Sequence, residues 1–345
     1  MILRLVHLLT LTVVKNLYGE GEIVVPPLTW VSDIASVLQN GFEPVFVDID
    51  MEDLNWDLDM LESKITDRTV AAFSSPVLGN PYDFDKFFDI IDRHGLTYIA
   101  DNCDSLGSKW RGELLTKKAI ASSCSFYPAH HITTIEGGMV SSDVEEIVQI
   151  ARSFAWWGRG CYCVGAQNKL PNGVCGNRFD RWLEGYEQDV DHKYVFGVQG
   201  YNLKPADLQG SIGLVQLTKQ DEIHRVRRFN KARLHEIFSK IPGARVIEEK
   251  EHAETSWFGV PIVYEYGKHH LVNYLEKNGI QTRNYFAGNI LMHPGYRGLD
   301  NPKNFPNASA VLDNVFFLGC SPVITVPMVD YIEQVVTNYI KEIKK

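Results

Sequence analysis

The sequence lacks three features that would place it in a specialised class. It has only 6 cysteines in 345 residues, too few for a disulfide-stabilised scaffold. Its 34 basic residues are outnumbered by 43 acidic ones, giving a net charge of −9, which disfavours a general nucleic-acid binder. No run reaches the roughly 18 apolar residues of a membrane span. With 45% hydrophobic and 22% charged residues, the composition is that of a folded globular protein, and we expect a cytoplasmic one.

The apolar opening, Met1–Val14, admits two interpretations. A signal peptide has a basic start, an unbroken apolar stretch and a small-residue cleavage site. Here Arg4 and His7 interrupt the run and no such cleavage site follows. We therefore predict a buried helix. A length of 345 residues, at about 150 residues per domain, predicts a large domain over 1–200 and a smaller one over 201–345.

The first half of the chain alternates short apolar runs with helical patterns, which is typical of βαβ units and a mostly parallel sheet. The fold class is therefore α/β. The predicted strands are Glu22–Val25, Pro44–Val47, Thr69–Phe73, Leu96–Ala100, Ser122–Tyr127 and Met139–Val140. Ligands of such sheets bind at the carboxyl ends of strands, where Asp48, Asp101 and the segment Tyr127–His131 are expected.

Fewer strands are predicted in the second half of the chain. Residues 158–201 are rich in glycine, asparagine and aromatics without periodicity, as in a long functional loop. A long helix is predicted over Pro205–Phe238, and a final helix capped by Asp330. Between them we expect strand Phe258–Val263, helix His269–Asn278 and strand Gln281–Tyr285.

Two segments carry the chemistry, Asp101–Gly107 and Ser125–Gly138. Together they resemble the DegT-type family of sugar-nucleotide aminotransferases and dehydratases, which has the fold-type I architecture of pyridoxal-phosphate enzymes. The resemblance covers the chain from about Glu22 onward. It implies that Asp101 pairs with the pyridinium nitrogen of the cofactor. The family's cofactor-bearing lysine is replaced here by His130.

The histidine at this position has two interpretations. His130 and His131 by themselves would suit a structural pair in a turn. Within the family motif, histidine marks the dehydratases that remove the 3-hydroxyl of a nucleotide-linked 4-keto-6-deoxyhexose. An imidazole can act as a base near neutral pH. The resemblance therefore implies that His130 is the catalytic base of a C-3 dehydratase.

Four cysteines discriminate between two types of dehydratase. Cys103 and Cys161 are separated by 57 residues, Cys161 and Cys163 by one, and Cys163 and Cys175 by 11. This pattern resembles the cluster-bearing dehydrases, although the last gap is longer and implies an insertion within Val164–Val174. Four thiolates suit a 2Fe–2S cluster. A zinc site and four unconnected cysteines are the alternatives.

The cluster type implies pyridoxamine 5′-phosphate, a CDP-linked sugar, and an NADH-dependent flavin or iron–sulfur reductase as partner, in the biosynthesis of 3,6-dideoxysugars such as those of O-antigens. The alternative type uses pyridoxal 5′-phosphate and glutamate, acts on GDP-4-keto-6-deoxymannose and contains no metal. Neither type involves nucleic acid or a membrane.

The resemblance implies further site residues at positions where individual family motifs match. The implied cofactor-binding residues are Trp30, Asp101, Asp104, Ser125 and Asn202. The implied catalytic residues are His130, Tyr127 and Asp104. The implied substrate contacts are Phe286, Asn289, His192 and Lys193. A core tryptophan at Trp30 and a solvated turn at His192–Lys193 are the alternatives, and Asn202 is expected to reach the other subunit's cofactor, which implies a homodimer.

One family element has no counterpart here. Family members carry a serine- and glycine-rich loop whose amides hold the cofactor phosphate at a helix N-terminus, and nothing in 1–21 matches it. The resemblance thus predicts that the chain starts inside the large domain. An inactive, truncated relative is the corresponding alternative.

Overall fold

The computed structural model describes residues 3–161, 178–180 and 183–344. The helices are α1 (Leu3–Tyr18), α2 (Val31–Gln39), α3 (Leu58–Ser63), α4 (Phe84–His94), α5 (Glu145–Ala155), α6 (Asp207–Leu217), α7 (Gln220–Phe238), α8 (His269–Lys277), α9 (Pro306–Asn314) and α10 (Val326–Ile343). The strands are β1 (Glu22–Val25), β2 (Glu43–Phe46), β3 (Thr69–Ser74), β4 (Thr97–Asp101), β5 (Lys109–Trp110), β6 (Glu113–Leu114), β7 (Ala121–Ser125), β8 (Gly138–Ser141), β9 (Ala244–Val246), β10 (Ala253–Glu254), β11 (Gly259–Tyr264), β12 (Arg283–Asn284) and β13 (Val315–Gly319).

The first sheet confirms the predicted α/β fold. Its order is β2-β1-β3-β4-β7-β8, and all pairs are parallel except β7 with β8. Strands β1 and β7 are buried along their whole length, as expected of a parallel sheet covered on both faces. Because the strands run in one direction, the ends of β4 and β7 lie at the same edge.

The second large sheet is antiparallel, in the order β12-β13-β11-β9. An apolar cluster built from α7, α8, α10 and these strands packs against it, with Phe238, Leu275 and Tyr339 at or near zero exposure. A small third sheet joins β10 to β5 and β6. The domain boundary near residue 200 stays a prediction.

The apolar opening is a helix, as predicted, although α1 extends to Tyr18. Its buried residues include Leu11, Val13 and Val14, and it contacts α2, α5 and β7. Across the described residues, none of the helices combines the length and apolarity needed to cross a bilayer.

Two helix predictions were wrong in their boundaries. The long helix predicted over Pro205–Phe238 is broken into α6 and α7, because the Thr218 hydroxyl donates to the carbonyl of Val215 and the Lys219 amide donates to Gln216, three residues back. The final helix starts at Val326 rather than after Asp330, with a proline in its first turn, where proline's missing amide is tolerated.

Asp48 is a structural residue rather than a ligand at the end of its strand. It is buried, and its carboxylate accepts hydrogen bonds from the backbone amides of Asn307 and Ala308 at 3.0 and 2.9 Å. It thereby satisfies the free amides at the start of α9 from more than 250 residues away in the chain.

We expect Asp48→Ala to lower the free energy of unfolding by about 2 to 4 kcal/mol, because two amides lose a charged, buried acceptor. Urea unfolding measures this loss. The matched control is Asp50→Ala. Asp50 is exposed, and its carboxylate accepts a hydrogen bond from the backbone amide of Glu52 in the same turn. Equal losses in the two variants would contradict the assignment.

Candidate active site

Two adjacent strand ends form the floor of the site. Asp101 ends β4 and Ser125 ends β7, and the parallel pairing sets Asp101 beside Ser123. Both Asp101 and Ser125 are buried. The structure therefore brings together two of the predicted cofactor-binding residues at the strand edge where ligands of such sheets bind.

Asp101 is an ionised carboxylate. Its Oδ1 lies 3.1 Å from Nε2 of His7 and accepts the backbone amide of Cys103 at 2.9 Å. Burial raises the pKa of Asp101, but the neighbouring His7 outweighs that effect and lowers it to about 2. Asp101 thus offers the negative charge that a protonated ring nitrogen requires.

Asp104 is the opposite case. Burial, followed by the charge of Asp101, raises the pKa of Asp104 to about 8. Its Oδ2 is buried and has no hydrogen-bond partner within the part of the chain that the structure describes. Near neutral pH Asp104 is therefore a carboxylic acid that can donate a hydrogen bond, which suits the predicted place beside a ring hydroxyl.

His130 lies among aromatic rings. Its centroid is 5.5 Å from that of Phe258 and 6.2 Å from that of Tyr127, both in edge-to-face geometry. Burial lowers its pKa to about 4, against the opposing charge of Asp101. Its Nδ1 is buried without a partner among the described residues. His130 is thus a neutral imidazole at pH 7, the form required of a base.

Trp30 and Phe286 form an aromatic pair in which Trp30 is exposed and Phe286 is partly buried. The Trp30 side chain is 44% exposed, which contradicts the alternative of a core tryptophan. Its ring meets that of Phe286 edge-to-face at 5.9 Å. Phe286 has a φ of 48°, an unfavourable backbone conformation for a bulky residue. Residues held in this way often mark a ligand site, and the pair suits stacking on a planar ring.

The four predicted cluster ligands are only partly described. Cys103 and Cys161 are both buried, whereas Cys163 and Cys175 lie outside the described residues. Sγ of Cys103 is 3.4 Å from Nε2 of His7. Burial and the nearby Asp101 raise the pKa of Cys103 well above its usual range. The iron–sulfur cluster stays a prediction.

The remaining predicted residues fall in different surroundings. Asn289 is fully buried, and its amide donates to Pro302, Phe305 and Ser309 while its Oδ1 accepts from Leu291. In this structure the Asn289 side chain holds its own loop, and the substrate contact of Asn289 stays a prediction.

His192 and Lys193 lie in a short 3-10 turn, where His192 is buried and Lys193 is exposed. Asn202 is exposed, and its backbone forms an antiparallel bridge with Trp156. Nothing in these contacts tests their predicted roles toward nucleotide or partner subunit.

Sequence reasoning missed His7 as a site residue. In the sequence alone, His7 is only a polar interruption of an apolar helix. In the structure this histidine is fully buried beside Asp101. A polar residue on the buried face of an apolar helix was the available signal, since such a residue needs a buried partner.

Fold and site together define an α/β enzyme with the architecture of pyridoxal-phosphate-dependent sugar aminotransferases. The E. coli GDP-4-keto-6-deoxy-D-mannose-3-dehydratase with bound hydrated PLP superimposes with a TM-score of 0.83 at 28% identity, over 96% of this chain and 85% of that one.

Sequence relatives give the family. Residues 6–337 match the DegT/DnrJ/EryC1/StrS aminotransferase family, and the chain belongs to it. It is 37% identical to dTDP-4-dehydro-2,6-dideoxy-D-glucose 3-dehydratase of Saccharopolyspora spinosa, over 92% of this chain and 70% of that protein. It is 33% identical to the lipopolysaccharide biosynthesis protein RfbH of Salmonella typhimurium, over 92% and 74%.

Proposed function

We propose that this protein is a C-3 dehydratase of a nucleotide-linked 4-keto-6-deoxyhexose, dependent on a pyridoxal-type cofactor. The observation that carries the proposal is His130. A neutral, partly buried imidazole stands at the position where the family's aminotransferases carry their lysine, close enough to Asp101 for that charge to act on its pKa. A histidine cannot hold the cofactor covalently, but its neutral imidazole can accept a proton.

The similar proteins support the same reaction class. Relatives at 37% and 30% identity are 3-dehydratases, one of a dTDP-linked sugar and one, from E. coli, of GDP-4-keto-6-deoxy-D-mannose. Their nucleotides differ, so they support the class of reaction rather than one substrate.

The residues present fit a pyridoxal-type cofactor. The test is the pair of buried polar atoms that lack partners among the described residues, Oδ2 of Asp104 and Nδ1 of His130, since such atoms are normally paired. When bound, the cofactor supplies an electron sink that stabilises negative charge next to the reacting carbon. Asp101 would hold the ring nitrogen, Asp104 the ring hydroxyl, Ser125 the phosphate and Trp30 the ring face.

The chain's own part in the reaction follows from these placements. Asp101, which keeps its negative charge, would hold a proton on the ring nitrogen of a bound cofactor. A ring nitrogen of His130 would accept the proton released at the reacting carbon, with Tyr127 beside it. The ring of Phe258 packs edge-to-face against the imidazole, with 5.5 Å between the ring centroids.

Finer features remain part of the proposal. The cysteine spacing favours pyridoxamine phosphate, a 2Fe–2S cluster on Cys103, Cys161, Cys163 and Cys175, a CDP-linked sugar and an external reductase. The resemblance to GDP-4-keto-6-deoxymannose dehydratases favours pyridoxal phosphate and glutamate equally well. A homodimer with Asn202 at the neighbouring site is compatible with either.

A single assay separates these possibilities. The protein, expressed anaerobically, is incubated with CDP-, GDP- or dTDP-linked 4-keto-6-deoxyhexose in two arms, one with PLP and glutamate, the other with pyridoxamine phosphate, NADH and a flavin-dependent iron–sulfur reductase. Mass spectrometry identifies the sugar. We expect a 3-deoxy product in one arm.

Each outcome of this assay contradicts one of the alternatives. Turnover with glutamate alone by iron-free protein would contradict the cluster. Reductase-dependent turnover by protein containing two irons per chain would contradict the glutamate route. A 4-amino sugar that retains its 3-hydroxyl would mean an aminotransferase and overturn the dehydratase assignment.

A further inference from the structure

His7 joins three elements of the fold at one buried point. It lies in α1 with no exposed surface. Its Nδ1 is 3.0 Å from Oδ1 of Asp33 in α2, and its Nε2 is 3.1 Å from Oδ1 of Asp101 at the end of β4. One imidazole thus bridges two buried carboxylates, of which the second belongs to the proposed cofactor site.

This arrangement is too well connected to be a chance contact. The Thr29 hydroxyl donates to the other oxygen of Asp33. The Ser32 hydroxyl is 2.8 Å from Nδ1 of His7. Buried carboxylates are strongly unfavourable unless they are paired and hydrogen-bonded, and here both are. The two nitrogens of the His7 ring face in opposite directions, so one ring can form an ion pair with both carboxylates.

The bridge determines how Asp101 is presented. His7 and the backbone amide of Cys103 both engage the same oxygen, Oδ1. A carboxylate held at one oxygen by two donors cannot rotate freely about its side-chain bonds. Its direction is therefore fixed before any ligand arrives, which lowers the ordering cost of binding.

We propose that His7 is a positioning residue that fixes the Asp101 carboxylate for the cofactor's ring nitrogen, and that Asp33 in turn orients His7. This rests on the proposed function, since it assumes a cofactor at Asp101. The affinity of the protein for the cofactor, measured without substrate, tests this role.

A metal ion offers a different explanation of the same residues. Nε2 of His7, Oδ1 of Asp101 and Sγ of Cys103 lie within 4.8 Å of one another, and such a set suits a zinc-like ion. Ion pairing of the His7 ring with the two carboxylates accounts for the contacts without any added group, so we favour the positioning role.

The experiment measures the dissociation constant of PLP by equilibrium dialysis, together with the absorption maximum of the bound cofactor. We expect His7→Phe to weaken PLP binding about 10- to 100-fold, because a hydrogen bond to a charged group is lost. His7→Gln keeps one donor toward Asp101 and is expected to recover much of that loss. Asp33→Asn should weaken binding less than His7→Phe.

Thr10→Val is the matched control. Thr10 is buried in the same helix, and its hydroxyl donates only within α1, to the carbonyl of Val6. We expect its PLP affinity and absorption maximum to match the wild type. Should His7→Phe fail to fold, Asp33→Asn is compared with Thr10→Val, and an Asp33→Asn variant that binds PLP no more weakly than Thr10→Val would contradict the positioning role.

Each result has one meaning. If the wild type binds PLP and the His7 variants bind it equally well, the positioning role is wrong while the proposed function stands. If the wild type binds neither PLP nor pyridoxamine phosphate under the same conditions, the proposed function itself fails. Stoichiometric zinc in the purified wild type that is lost in His7→Gln would replace the positioning role with a metal site.

Discussion

Replacing His130 with asparagine is expected to slow the proposed dehydration by about 10²- to 10⁴-fold, the usual contribution of a positioned general base. The affinity for PLP should change little, because the predicted binding contacts come from Asp101, Asp104, Ser125 and Trp30. Turnover is followed by mass spectrometry of the sugar, and PLP binding by equilibrium dialysis.

The next residue is the matched control. His131 is a buried histidine whose Nε2 lies 3.1 Å from the carbonyl oxygen of Ser256 and 3.2 Å from that residue's hydroxyl. A glutamine at 131 can keep such a contact, so we expect His131→Gln to retain most of the activity. Similar losses in both variants would mean that the segment matters for packing, and His130 would no longer be assigned as the base.

The same base predicts an unusual pH profile. The pKa of His130 is lowered to about 4 by burial, so the imidazole stays neutral across pH 5 to 8. Protonation of His130 should therefore produce no fall in kcat/KM near pH 6.5, where an ordinary histidine titrates. An acid limb centred near 6.5 that His130→Asn abolishes would contradict this environment.

The parts of the fold that sequence predicts well are those whose signals are local. The strands β1, β3, β4 and β7 are short segments, and each starts within one residue of its predicted position. Asp101 and Ser125 could be located because a parallel sheet brings its strand ends together. This reasoning requires only the order of the strands.

Contacts between distant segments were not predictable in the same way. The role of Asp48 depends on α9, and that of Asn289 on the loop around Pro302. A strand-end aspartate and a loop asparagine look alike whether they hold a ligand or a backbone amide, because both tasks require the same acceptor. Only the packing of the two regions decides which group is satisfied.

The charge states of Asp101 and Asp104 were not predictable from the sequence either. Asp101 and Asp104 are three residues apart and chemically identical, yet the pKa of the first is about 2 and that of the second about 8. The difference arises from His7, which contacts Asp101 from a helix almost a hundred residues earlier. Burial without such a partner leaves Asp104 protonated.

Asp104→Asn is accordingly expected to stabilise the cofactor-free protein, increasingly so at higher pH. In the unfolded chain this carboxyl ionises near its ordinary value of about 4, whereas in the folded protein it keeps its proton to about pH 8. The folded state therefore binds more protons between these values, so wild-type stability falls as pH rises. An asparagine does not titrate and escapes this loss.

From pH 5.5 to 7.5 the advantage of Asp104→Asn over the wild type should grow by about 2 to 3 kcal/mol, at about 1.4 kcal/mol per pH unit. Urea unfolding at three pH values measures it. The exposed Asp67→Asn is the control and should run parallel to the wild type. If Asp104→Asn also runs parallel, Asp104 is ionised in the folded protein. An ionised Asp104 cannot donate a hydrogen bond to a ring hydroxyl, so the different roles assigned to Asp101 and Asp104 would have to be abandoned.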